Sequence, residues 1–292
     1  MSAFPKLDLA PSVTRQPMFR YLVVLTIFST VGLQAWRTLF NNFAADVVGL
    51  EGSHIGMIQS VREVPGFLAL LVVYVLLVIR EHRLSALSVL CLGLGVAATG
   101  FFPSYMGLLI TTLLFSLGFH YYETTNQSLT LQYFDQQTSP WVFGKQRSYA
   151  AASNIAVGAA ILFLKPWSSY QALFVSVGLL IVAAAFWAFS QRPTREGLVP
   201  QRKKMILRRR YSLFYFLTFM SGARRQIFMA FAIFLLVKKF GYSVSEVTLL
   251  FMLNNVINYF TAPLIGKAII RFGERSVLSL EYGGLILVFM GY

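Results

Sequence analysis

Six ionisable side chains sit inside apolar stretches long enough to cross a membrane: Arg37, Arg62, Glu63, Glu123, Arg224 and Arg225. An ionised group near the centre of a bilayer costs roughly 2.5–3.5 kcal/mol on insertion scales, so each needs a partner or a task. One solution is mutual pairing, for example Arg37 with Glu63, which would lock helices together. The other is a guanidinium offered to an anionic solute. Four arginines against two glutamates leave positive charge over even after complete pairing, and guanidinium holds carboxylate or phosphate through two parallel hydrogen bonds. Arg37, Arg224 and Arg225 are therefore the candidate solute-binding cations, and Arg62, Glu63, His120 and Glu123 the candidate proton-coupling or ion-pairing residues.

His120, Glu123 and Gln127 follow at intervals of three and four residues, which sets them on one helical face, with Tyr122 and Asn126 on the adjacent stripe. Imidazole and carboxyl groups exchange protons, so His120 and Glu123 could carry a coupling proton. The same residues could equally tie an interhelical hydrogen-bond knot. Asn254, Asn255 and Asn258 add neutral amides that can orient a polar ligand without the cost of charge. No nucleophile with a paired base and no glycine-rich phosphate loop is present, so no catalytic residue is assigned. Cys91 is the single cysteine, which rules out an intrachain disulfide and a Cys-based metal site. No metal and no cofactor are expected.

The elements that must position these groups follow from composition. The 292 residues are 57% hydrophobic and 12% charged, with mean hydropathy +0.64, too little polar surface to wrap a soluble core. The lipid bilayer is the expected solvent and partner. The net charge of +14 sits in short loops rather than on a soluble face, so no nucleic-acid partner is expected. Residues 1–18 lack the apolar core and small-residue cleavage site of a secretory signal.

A ruler of about 20 apolar residues per crossing marks nine candidate spans, near 20–45, 53–79, 84–102, 105–133, 147–165, 169–190, 211–237, 244–266 and 276–292. Segments of this length satisfy their backbone groups in lipid as helices, so the fold class is all-α, a polytopic helical membrane protein. With the N-terminus in the cytoplasm, eighteen Lys and Arg fall on that side and only Lys165, Lys238 and Lys239 on the other. That imbalance sets the orientation. The chain divides into a cytoplasmic segment 1–19, a six-helix bundle 20–190, a basic linker 191–210 with Pro193 and Pro200, and a second set of three helices at 211–292. The linker's basic run, Arg202 to Arg210, suits anionic lipid head groups. Pro65 and Pro263 are expected bend points.

After span eight, Gly266, Arg271, Gly273 and Arg275 keep the spacing of a cytoplasmic signature of glycine, three residues, Asp, Arg, one residue, Gly, one residue, Arg, with Ile270 in the Asp position. Together with six spans, a basic linker and further spans, this resembles the major facilitator superfamily, built from two six-helix halves. In the first half the corresponding turn reads Arg80, Glu81, His82, Arg83, and only Arg83 keeps its place. Span five has Gly158 but lacks the Gly-Pro and paired glycines similar to the proton-antiporter subgroup, so drug and proton exchange is not favoured.

The resemblance implies a two-bundle architecture with about nine of twelve helices present, the chain stopping inside its ninth span. It also implies secondary active transport of a small polar solute, anionic if the arginines line the cavity, by alternating access, with a proton as a candidate coupling ion. The expected location is a bacterial inner membrane. Two alternatives stay open: a non-transporting relative acting as sensor or assembly protein, and a polytopic membrane enzyme acting on lipid phosphates.

Overall fold

The computed structural model describes residues 9–194, 208–222, 240 and 244–291. Backbone groups cut off from water close their hydrogen bonds within a segment, and every regular element among the described residues is a helix. Helix α1 (Pro17–Asp46) opens with proline, whose missing N–H would have had no intrahelical partner there. Gly49, at φ 73°, turns the chain into α2, which runs over Gly52–Val75. Then follow α3 (Glu81–Thr99), α4 (Tyr105–Tyr133), α5 (Ser139–Leu164) and α6 (Tyr170–Ser190). Ser104 and Ser169 cap α4 and α6, each hydroxyl accepting at 3.1 Å from the amide three residues on. Beyond the linker lie α7 (described over residues 212–222), α8 (Val244–Phe272) and α9 (Glu274–Gly291).

The expected all-α membrane fold is present, but three boundaries move. The second span is not continuous: α2 consists of Gly52–Arg62, Val64–Leu68 and Val72–Val75, with a 3-10 turn at Ala69–Leu71. Proline removes a backbone donor and crowds the preceding turn, and the break falls at Glu63, just ahead of Pro65. The fifth span begins at Ser139, not near 147. The eighth continues to Phe272 and keeps Pro263 inside an unbroken helix. Hydrogen-bonded helix continues past the apolar window because its ladder does not depend on side-chain polarity.

Helices α1, α2, α3, α5 and α6 are long and apolar enough to cross a membrane. Helix α4 has the length, with 29 residues, but His120, Glu123, Asn126 and Gln127 dilute its apolarity. It is therefore placed by its neighbours as much as by lipid. Helix α3 packs between α4 and α6, α1 runs against α5 and α6, and α2 rests on α4. The α3–α4 approach is so close that a Cβ at Gly118 would collide with the backbone of Ser88 and Leu92, the small-residue packing that membrane helices favour. At the centre Trp36 stacks on Phe40 and Phe115 at ring separations of 4.1 and 5.0 Å. Thr26 of α1 and Tyr122 of α4 share a buried hydroxyl contact at 2.9 Å.

Candidate functional site

The site is built on the break in α2. In a regular helix, adjacent side chains point about 100° apart and do not meet. At Glu63 the ladder changes to three-residue bonds, Glu63 N–H to Ser60 O at 3.1 Å and Gly66 N–H to Glu63 O at 3.0 Å. That lets neighbouring side chains converge. Arg62 donates to Glu63 Oε1 from Nη2 at 2.5 Å and from Nε at 3.1 Å. The guanidinium also lies 5.7 Å from the ring centroid of Trp36 on α1, within cation–π reach.

The same change leaves the Arg62 carbonyl without its usual donor, and the Ser116 hydroxyl of α4 donates to it. Tyr121, also on α4, donates to the Leu68 carbonyl at 3.2 Å. Two side chains of α4 thus replace backbone bonds that α2 gave up, as broken membrane helices require. Between them, His120 lies against Gly66, where an added Cβ would come within 3.1 Å of the ring. His120 Nε2 is 4.0 Å from Glu63 Oε2, and Glu63, Glu123 and Arg62 all act electrostatically on the imidazole.

The residues singled out as proton-coupling or ion-pairing, Arg62, Glu63, His120 and Glu123, thus come together in one cluster. The pair is not sealed: the Arg62 and Glu63 side chains keep 19% and 41% of their exposure, and Glu123 and Gln127 are exposed. The adjacent stripe is used differently. Asn126 donates to Gln146 of α5 at 2.9 Å, and Gln146 donates to Thr130 at 3.1 Å.

Of the expected solute-binding residues, Arg37 is an exposed side chain on α1, next in sequence to buried Trp36. Arg224 and Arg225 lie outside the described residues. The three asparagines of α8 separate. Asn255 accepts from Asn154 of α5 at 3.0 Å, while Asn258 donates along its own helix to Asn254, at 2.9 Å to the carbonyl.

That Asn154–Asn255 bond belongs to a long seam. Helix α8 lies along α5, and the two backbones approach at glycines. A Cβ on Gly144 would meet the Ala262 carbonyl oxygen at 2.7 Å, and one on Gly266 the Pro140 carbonyl oxygen at 2.5 Å. Ser148 donates to the Tyr259 carbonyl at 2.7 Å. Gly266, the first position of the signature, is thus a packing residue inside α8, and Arg271 is helical as well. Only Gly273, at φ 79°, makes the turn. Arg271 lies 5.2 Å from the Phe272 ring, and Arg275 is exposed.

Sequence reading passed over Ser116, Tyr121, Gln146, Ser148 and Asn154. For the seam a signal existed: Gly144 and Ser148, like Ala262 and Gly266, are small residues four apart, the spacing that brings membrane helices close. Ser116 and Tyr121 carry no such signal, because nothing local marks which carbonyl of a distant helix will lack a donor. No curated protein matches the chain. Residues 22–292 match the family model of the Major Facilitator Superfamily, and with that much of the chain covered, the protein belongs to that superfamily of membrane transporters.

Proposed function

We propose that the chain carries a small polar, anionic solute across a bacterial inner membrane by alternating access, with its N-terminus in the cytoplasm. Residues 20–190 form one moving body and 211–292 belong to the other, joined by the basic linker 191–210. Arg37, Arg224 and Arg225 hold the solute's negative charge, and Asn254, Asn255 and Asn258 supply amides, with Asn255 shared between the solute and its bond to Asn154. Arg62, Glu63, His120 and Glu123 form the coupling group, through which a proton enters the cycle. The protein makes and breaks no covalent bond in the solute and is not an enzyme.

The observation that carries this reading is the half-open charged cluster at the α2 break. A transporter fold keeps ionisable groups inside its helices only where they pair or line a wet path, and Arg62 and Glu63 pair while keeping part of their exposure. Uptake of labelled carboxylates and organophosphates into proteoliposomes made with the full-length protein tests it. Arg37→Ala and Arg224→Ala are each expected to lower uptake roughly tenfold or more, the worth of a hydrogen bond to a charged group. Parental rates in both variants, with either solute class, would remove the arginines from the site.

A further inference from the structure

Away from the α2 break, a cavity of about 320 Å³ opens at the end of the bundle where α1 begins and α6 ends. Arg15, Arg20, Arg192, Pro17, Trp187 and Gln191 contribute to its wall. Arg15, Arg20 and Arg192 are all exposed, and among the described residues none has a carboxylate within 4.0 Å. Three like charges around one small cavity repel one another, and an anion between them would relieve that repulsion. Helix α1 also begins beside the cavity, at Pro17, with no side-chain cap on its first turn, and this end of a helix favours negative charge.

What lies beside the cavity narrows the anion. Helix α6 leaves Leu179, Leu180, Phe186 and Trp187 exposed, two pairs seven residues apart and so on one flank of the helix. Trp187 belongs to both surfaces: it lines the cavity and ends the apolar flank. Its ring also stacks on Tyr21 of α1 at 6.5 Å. Tryptophan at this depth is the residue type that marks the boundary between acyl chains and head groups. A ligand matching both surfaces has a phosphate at one end and hydrocarbon at the other.

We infer that Arg15, Arg20 and Arg192 form a binding site for the phosphate of an anionic phospholipid, whose acyl chains lie along the Leu180–Trp187 flank of α6. The shared chemistry is phosphate, and the apolar flank distinguishes the lipid from a free anion. The site is separate from the solute path and does not depend on it.

Native mass spectrometry of the full-length protein, titrated in detergent with phosphatidylglycerol, phosphatidylcholine or inorganic phosphate, tests the assignment. One phosphatidylglycerol should be retained in preference to phosphatidylcholine. The apparent affinity should fall about fivefold for each arginine removed, as expected for a basic residue at a lipid surface. R192Q, which lies outside any helix, gives this result without endangering the fold, and R15Q/R20Q/R192Q should abolish the preference. R80Q/R83Q/R147Q removes the same charge elsewhere and should leave it intact. The assignment is overturned if R192Q binds as the parent does, if both triple variants lose the lipid equally, or if millimolar inorganic phosphate displaces it.

Discussion

At the break in α2 a guanidinium, a carboxylate and an imidazole meet in a place still open to its surroundings, whereas along α5 and α8 two helices approach until only glycine fits between them. The first joint is held by charge. Its strength depends on which groups carry protons and on what anions are near, and partial exposure keeps the desolvation cost of Arg62 and Glu63 moderate. The second is held by shape, with two polar clasps, Ser148 to Tyr259 and Asn154 to Asn255, set along it. A joint of charge can be switched by a proton or a solute. A joint of shape changes only when the helices slide or tilt.

The sharpest way to break the contrast is Gly266→Leu. Even the first added carbon would lie 2.5 Å from the Pro140 carbonyl oxygen, and backbone cannot retreat as a flexible side chain can. Overpacking of this kind costs roughly 1–3 kcal/mol. The melting temperature in detergent should drop clearly, and uptake should fall with it. An unchanged melting temperature would mean that α8 does not rest on α5 at this register.

Glu63→Gln probes the charged joint with a smaller expected effect. It keeps the shape but leaves Arg62 with a neutral neighbour, a loss of roughly 1 kcal/mol after allowing for the exposure of Glu63. Uptake driven by an imposed pH gradient should fall far more than stability does. If stability fell and gradient-driven uptake did not, the pair would be structural only.

The smallest effect sharpens the seam. A double-mutant cycle on Asn154→Ala and Asn255→Ala should return a coupling of about 0.6 kcal/mol, the average for hydrogen bonds between membrane helices. A coupling near zero would assign the seam's strength to close packing alone.

Much of the fold was legible because burial in lipid is dictated by hydropathy, which each stretch of chain carries by itself. Spans one, three and six were placed within a few residues, and Pro65 flagged the interruption of α2. The start of α5 and the end of α8 were not legible, because Lys145, Arg147, Lys267 and Arg271 interrupt the apolar pattern without interrupting the helix. The candidate site was half legible. Its charges stood out as residues that lipid should exclude, but their grouping did not, since helical periodicity fixes faces within one helix and says nothing of which face meets which.

By itself, the sequence determined that this is an α-helical membrane protein, that its family signature lies near Gly266 and Gly273, and that Arg62, Glu63, His120 and Glu123 need an explanation. Only the tertiary structure decided that these four share one site, that Ser116 and Tyr121 of α4 make good the bonds broken in α2, and that Gly266 serves a seam rather than a turn. The physical reason is range. Hydropathy and backbone hydrogen bonding act within a turn or two of chain, while the partner of a broken helix, or the helix that a glycine admits, is chosen by contacts between segments 50 to more than 100 residues apart.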